Sequence, residues 1–304
     1  AIVMSVSTLL YGVAQSAWQV AALRLMSGAG YSFCSVCMAS WFASLLPRDR
    51  MGSGMGMFGM MNALGMAVGP AVGFQVYQAF GYRAALVLAG ALAALTAILV
   101  QFVQNPGRAV PGVRVQDKAK SLVAPDAVPA AVIVGLFTVP YMVTQSFLAS
   151  YVEDLQINVR VGLFFPVYAL VLLALRYGLK RAFDSWRFRT FLFGSSICAA
   201  AAFCLLSIMR GDIVMFAAAA CMAGGYGGMC SVCQGAAVRV VGPDGTGMAN
   251  STYYMGIDIG MALGPTLGGW LYGLFGPSML FWPCLVFAPC ALLVYAASRV
   301  LHSL

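Results

Sequence analysis

The chain has 304 residues, 62% of them hydrophobic and only 9% charged. A water-soluble domain carries about 25% charge, so the composition excludes a soluble globular protein and points to a chain solvated by lipid. The formal net charge of +8 needs no nucleic acid to explain it, because loops facing anionic headgroups on the cytoplasmic side account for it.

Apolar stretches of the roughly 20 residues that a hydrocarbon core about 30 Å thick requires recur along the whole chain. They predict ten transmembrane helices, at 1–19, 20–46, 51–80, 83–104, 128–150, 159–180, 188–209, 212–240, 246–274 and 278–300. A membrane barrel would show short alternating segments instead. The first stretch lacks the basic leader of a cleavable signal. The second holds Arg24 and the tetrapeptide Cys-Ser-Val-Cys at 34–37; the third holds Asn62 and the phrase GMAVGPAVGF at 65–74. A basic loop follows the fourth, at 106–127. The fifth stretch carries Tyr141 and Gln145, with Tyr151 at its end; a second basic loop, 176–189, precedes the seventh. The eighth repeats Cys-Ser-Val-Cys at 230–233. The ninth contains Asn250, Ser251, Tyr254, Asp258 and the phrase GMALGPTLGG at 260–269.

With residue 1 on the cytoplasmic side, Arg48, Arg50, Arg108, Arg114, Lys118, Lys120, Arg176, Lys180, Arg181, Arg187, Arg189, Arg239 and Arg299 fall inside. Arg83, Arg160 and Arg210 fall outside. Thirteen against three obeys the positive-inside rule and puts the C-terminus in the cytoplasm of a multi-pass protein of the cell (cytoplasmic, or inner) membrane.

The two ten-residue phrases lie 195 residues apart, and the same offset superimposes Asp49 on Asp244, Gly52 on Gly247, Tyr77 on Tyr272 and Gly81 on Gly276. This is an internal repeat. An even number of predicted helices separates the copies, so both cross in the same direction, as two parallel halves about an axis along the membrane normal. The expected division is a half-bundle at 1–105, a cytoplasmic linker at 106–127 and a six-helix half-bundle at 128–304. Four helices against six leads us to expect two more upstream of Ala1, about 60 residues at about 20 per span.

Several motifs now carry a family resemblance. Gly56, Gly65, Gly69, Pro70 and Gly73 resemble the fifth-helix antiporter signature of the major facilitator superfamily, departing from it at Phe74. LRLMSGAG at 23–30 resembles the fourth-helix signature, with Ser27 where Gln is common. RYGLKRAFDSWRFR at 176–189 resembles the loop between the eighth and ninth helices, keeping Arg176, Arg181, Asp184 and Arg189 but with Lys180 and Arg187 where glycines are usual. STYYMGIDIGMALGPTLGG at 251–269 is similar to the eleventh helix of drug-efflux members. The resemblance implies a helical bundle of the major-facilitator type, a drug:proton antiporter that exports a small organic or drug-like compound by alternating access. It also implies protons as the coupling ion, a monomer, and a loop latch formed by Arg176, Arg181, Asp184 and Arg189.

Helix association in lipid depends on close backbone approach. Gly256, Gly260, Gly264 and Gly268 form a groove whose counterpart is Gly65, Gly69 and Gly73, and Gly269 belongs to the same conformational motif. Pro70 and Pro265 each remove an N–H and are expected to kink their helices. These surfaces are expected to be seams along which the two halves rock. An acid deep in an apolar stretch is costly unless it faces a cavity or a polar neighbour. Asp258, about 200° from Gly256 at about 100° per residue, therefore faces away from the groove, with Tyr254 and Ser251 on its side. It is the first proton-coupling candidate and Arg24 the second. Tyr141, Gln145, Tyr151, Asn62 and Asn250 are expected to offer hydrogen bonds to a substrate. The bland reading for each of these polar side chains is a helix–helix contact. The cysteines read as small packing residues with neutral thiols, not as a zinc site. His302, the only histidine, lies at the tail, and no phosphate-binding loop with Lys is present, so neither an enzyme, a cofactor nor direct ATP drive is expected. The rival functions are export of a metallophore-like or sugar-like solute, and a transport-inactive membrane scaffold or sensor.

Overall fold

The computed structural model describes residues 2–45, 51–103, 123–178, 187–242, 245–298 and 300–303. Within the hydrocarbon a backbone must satisfy its own polar groups, and among the described residues every regular element is helical. These are α1 (Ile2–Leu10), α2 (Ala17–Leu45), α3 (Met51–Gln101), α4 (Val128–Asp154), α5 (Phe164–Gly178) and α6 (Phe188–Ser207). They are followed by α7 (Asp212–Met222), a π-helical turn (Ala223–Gly227), α8 (Gly228–Val241), α9 (Thr246–Phe275) and α10 (Phe287–Ala297). The chain forms two compact units, Ala1–Gln116 and Asp117–Leu304, divided inside the stretch 106–127.

Among the described residues, six helical stretches are long and apolar enough to cross a membrane: Val68–Gln101, Pro125–Asp154, Val161–Gly178, Phe188–Ser207, Asp212–Val241 and Pro277–Ala297. The ten expected from the sequence are therefore not all matched by length and hydropathy. The first apolar stretch is helical only over Ile2–Val13, because the chain turns extended at Ala14 (ψ 126°). The 30 residues of α9 are long enough, but their glycines, tyrosines and Asp258 dilute their apolarity.

The stretches expected at 51–80 and 83–104 join in α3, interrupted at Gly81, whose φ of 82° and ψ of 177° are not helical. Only glycine takes a positive φ without steric cost. Gly276, 195 residues on, closes α9 with φ 72° and ψ 176°. The repeat read from residue identities is thus also a repeat of backbone conformation.

In the first unit α1 packs between α2 and α3. The buried Ser5 hydroxyl donates to the Gly90 carbonyl at 2.8 Å, and Gly90 leaves room for the end of the Leu9 side chain, which a Cβ would approach to 2.7 Å.

In the second unit the principal packing is α9 against α4, crossing at Gly256 and Gly135. A Cβ on Gly135 would lie 2.9 Å from the Gly256 carbonyl oxygen, and one on Gly256 would collide with the Ala131 carbonyl. Further along, a Cβ on Gly260 would be 2.6 Å from Thr138 Cβ, one on Gly264 2.8 Å from the Val139 carbonyl oxygen, and one on Gly268 2.7 Å from the Phe147 ring. The groove read from the sequence exists, but it is filled by α4 of its own half. This corrects the expectation that Gly256, Gly260, Gly264 and Gly268 face a seam between the halves. The reason is that α4 places Ala131, Gly135, Thr138 and Met142 at matching helical spacing, so the two backbones close on each other. Gly269 lies at the groove's edge, 3.6 Å from Phe147 by the same measure, whereas a Cβ on Gly65, Gly69 or Gly73 would meet nothing within 4 Å among the described residues. The two copies of the phrase are alike in sequence and unlike in packing.

Polar ties complete this unit. The Ala124 amide donates to Thr252 Oγ1 at 2.9 Å, and the Tyr272 hydroxyl donates to Asp154. Arg160 donates to Asp212 from its backbone N and from Nε, each at 2.8 Å. The last carbonyls of a helix lack intrahelical donors. At the end of α6 the buried Tyr151 hydroxyl supplies one, 3.1 Å from the Leu206 carbonyl and 3.3 Å from that of Ser207. Tyr151 therefore ties the end of α4 to the end of α6. Tyr151→Phe removes the side-chain donor to both carbonyls, leaving Leu206 only the Met209 amide at 3.4 Å, and is expected to cost about 0.5–1.5 kcal/mol, read as a lower thermal-unfolding midpoint.

Candidate functional site

Two places in the second unit gather polar groups inside apolar helices. The first is the face of α9 opposite its glycine groove. Ser251, Tyr254 and Asp258 are all exposed there, while Tyr253, Ile257, Gly260 and Gly264 are buried on the packed side. Helical period alone dictates the division, since residues three and four apart share a face. Asp258 lies about 18 Å along α9 from its first residue at about 1.5 Å per residue. Among the described residues it has no hydrogen-bond or ion-pair partner. A carboxyl group so placed can change its proton without breaking a structural bond.

The second place surrounds the π-helical turn. Its sequence, Ala-Gly-Gly-Tyr-Gly, combines minimal steric bulk with one aromatic. A Cβ on Gly225 would be 3.1 Å from Ala199, one on Gly224 3.1 Å from Cys198 Sγ, and one on Gly227 2.5 Å from Leu172. The glycines thus admit α5 and α6 close to the turn. An i→i+5 turn displaces the backbone hydrogen-bond pattern by one residue. The Ser195 hydroxyl of α6 compensates by donating to the Gly224 carbonyl at 3.0 Å. Ser195→Ala is expected to destabilise by about 1–3 kcal/mol, measured by thermal unfolding, and to loosen this turn first, measured by amide exchange in 223–228.

Tyr226 projects from the turn and stacks on Tyr141 of α4, with centroids 4.1 Å apart and planes at 15°. Tyr168 of α5 lies 5.5 Å from Tyr141 on another side. All three are buried, with 5%, 1% and 3% exposure for Tyr226, Tyr141 and Tyr168. Tyr253 closes the group from α9, donating to the Cys230 carbonyl at 2.8 Å. Beside the cluster, Leu136, Phe137, Pro140, Phe203, Met222 and Tyr226 border an apolar crevice of about 10 Å³. A drug-sized ligand needs roughly 300–1,000 Å³, so this crevice is closed to one.

Of the residues singled out by sequence, the structure brings Ser251, Tyr254 and Asp258 to one face. Asn250 accepts a hydrogen bond from Gln234 Nε2 at 3.1 Å, a link between α8 and α9. Tyr141 joins the aromatic cluster, and Gln145 is half-buried further along α4. Arg24 is in the other unit, exposed on α2 with its guanidinium 5.6 Å from the Tyr11 ring centre. Pro70 and Pro265 sit within helices that continue past them. Arg176 ends α5, its Nε buried without a hydrogen-bond partner, and the Arg189 guanidinium lies 5.5 Å from the Phe193 ring centre. Arg181 and Asp184 lie outside the described residues, so the latch does too, as do the surroundings of Gly56 and the side chain of Asn62.

Sequence reasoning missed Tyr168, Tyr226 and Tyr11. The available signal was a tyrosine inside each of three apolar stretches, which belt residues at the membrane surface also produce.

A parallel two-fold sequence repeat in an all-helical membrane chain is the arrangement of major facilitator proteins, and the comparisons agree. The Major Facilitator Superfamily profile matches residues 1–230 and 189–302. The chain belongs to the major facilitator superfamily. A relative described as an uncharacterized MFS-type transporter of Methanocaldococcus jannaschii is 29% identical over 94 residues, 31% of this chain and 24% of the relative. The chain thus aligns to about a quarter of that curated relative. Two solved structures of a bacterial homolog of the human lysosomal transporter Spinster, inward-facing and either unoccupied or occupied, each give a TM-score of 0.63. They share 14% and 16% identity and cover 99% of this chain and 80% of theirs. At that identity the likeness concerns the fold. Membership of this superfamily makes the protein a multi-pass membrane protein of a transporter family.

Proposed function

We propose that this major facilitator protein is a proton-coupled exporter of a small organic or drug-like compound, working by alternating access as a monomer in the cell membrane. The observation that carries the coupling is Asp258, an acid exposed midway along α9 and opposite the face that α9 uses for packing. A carboxyl group that meets a less polar environment in one conformation and a cation or water in the other takes up a proton in the first and releases it in the second. Arg24, permanently charged, is the second coupling candidate, and Ser251, Tyr254, Tyr141, Gln145, Asn62 and Asn250 are the substrate-contact candidates. The glycine groove of α9 holds the second half together internally, so the moving surface of the cycle is assigned elsewhere.

The test is flux. Inside-out membrane vesicles or proteoliposomes are loaded with a panel of fluorescent organic compounds, and an imposed pH gradient is expected to drive accumulation of at least one, with proton release on its addition. A panel that binds without any gradient-dependent flux supports the scaffold or sensor reading instead.

A further inference from the structure

Asp212–Val241 is one membrane-length span made of two pieces, α7 and α8, joined by the π-helical turn. The pieces keep different company. α7 packs on α5 and α6, whereas α8 packs chiefly on α4 and α9, which are themselves clamped together at the glycine crossing. These helices of the second unit thus fall into two groups, α5 with α6 and α7, and α4 with α8 and α9. The span that belongs to both changes group at its π-helical turn. Such turns are rare and recur at functional positions, and they are among the few causes of a sharp helix bend.

Polar ties are unevenly placed along the seam between the groups. Before the turn, at the end where α4 and α6 finish and α7 begins, Tyr151 of α4 donates to the Leu206 carbonyl of α6 at 3.1 Å. Arg160, in the connection from α4 to α5, bonds there to Asp212 of α7 at 2.8 Å. That end is pinned. At the turn, the Ser195 hydroxyl reaches the Gly224 carbonyl at 3.0 Å, beside the stack of Tyr226 on Tyr141. Beyond the turn, the Tyr253 hydroxyl donates to the Cys230 carbonyl at 2.8 Å and Gln234 Nε2 to Asn250 Oδ1 at 3.1 Å. These bonds hold α8 to α9, a helix of its own group. The seam is also where packing is incomplete: the crevice of about 10 Å³ has Leu136 and Phe137 of α4 on one side, Ala199 and Phe203 of α6 on another, and Tyr226 at the turn. Gly224, Gly225 and Gly227 meet α6 and α5 with bare backbone, a surface that a small rotation does not unlock.

We propose that the π-helical turn is a hinge inside the second unit, on which α4, α8 and α9 swing as one body against α5, α6 and α7. The swing opens the seam at the far end of α8 and draws Tyr226 off Tyr141. Gly256 and Gly135 stay in contact throughout, because the α4–α9 crossing lies within the swinging body and carries Asp258 with it. The hinge rests on packing alone; its use in a transport cycle rests on the reading above.

The experiment measures distances and needs no substrate. Spin labels are attached in pairs through an encoded azide amino acid, so that the nine native cysteines stay in place, and the full chain is studied in neutral-lipid nanodiscs. Val132 of α4, Tyr177 of α5, Thr190 of α6 and Arg239 of α8 are exposed and serve as label sites. Arg239 lies about 18 Å beyond the turn at about 1.5 Å per residue, so a further bend of about 20° moves it by about 6 Å. The expected result is two distances about 6 Å apart for Tyr177 with Arg239, across the seam. One narrow distance is expected for Tyr177 with Thr190 and for Val132 with Arg239, each within a group. Tyr226→Ala removes the stack and raises the share of the longer distance by about twofold to tenfold, the weight of an aromatic pair. Ser195→Ala does so to a similar degree by removing the bond across the seam, and Tyr226→Phe, which keeps the stack, retains the wild-type ratio. The hinge is overturned if the pair across the seam stays as narrow as the other two in the wild type and in both alanine variants. It is equally overturned if all three pairs split together, since the unit then loosens as a whole. Split distances across the seam in a protein that moves no compound leave the hinge standing and count against the transport reading only.

Discussion

Gly256→Ala lowers the thermal-unfolding midpoint of the purified protein by several degrees, whereas Gly69→Ala, in the glycine groove of the other copy of the repeat, leaves it unchanged or raises it. Alanine is better than glycine within a helix by about 1 kcal/mol, so on propensity both changes stabilise. At position 69 nothing opposes that gain, because the space a Cβ would enter is open to 4 Å. At position 256 the new methyl collides with the Ala131 carbonyl, a backbone group that cannot rotate aside. The two helices must part, and contacts at Gly135, Gly260 and Gly264 are lost with the crossing. Overpacking typically costs about 1–3 kcal/mol, enough to reverse the propensity term. Helices in lipid have little hydrophobic drive to close again around a bump. Equal midpoints for the wild type and Gly256→Ala would remove the α4–α9 crossing as the main strut of the second unit.

Asp258→Asn reduces pH-driven accumulation to background while substrate exchange without a gradient continues. Asparagine keeps the size and most hydrogen-bonding capacity of the side chain but cannot carry a proton between conformations. The position suits a clean test. Asp258 is on the exposed face of α9 and has no partner among the described residues, so the change leaves the glycine crossing intact and the unfolding midpoint near its wild-type value. Asp258→Glu, which restores a titratable group about one methylene further out, is expected to recover part of the driven transport. Arg24→Gln, tested beside it, separates a coupling role from a simple contact with the Tyr11 ring: only the former changes the pH dependence of flux. Full gradient-driven accumulation by Asp258→Asn would assign the proton to another group.

Both outcomes show what the amino-acid sequence could and could not determine. Solvent, helix class, the repeat and the superfamily were legible, because each depends on composition, on residue spacing along one helix, or on motifs that require no partner. Gly81 and Gly276 show this most plainly: identical residues at equivalent positions adopt the same left-handed backbone. The face on which Asp258, Tyr254 and Ser251 lie was legible for the same reason, since a helix has a fixed angular period.

The partner of each face was not legible. The groove of Gly256, Gly260, Gly264 and Gly268 reads the same whichever neighbour fills it, and only the tertiary structure shows that α4 does so, while the sister groove at Gly65, Gly69 and Gly73 meets nothing among the described residues. The cluster of Tyr141, Tyr168 and Tyr226 was hidden because its members come from three helices and meet only when glycines in the π-helical turn let α5 and α6 approach. Periodicity is a property of one helix and is written in its residues. Which helices touch depends on surfaces brought together from distant parts of the chain, and that is decided only by packing.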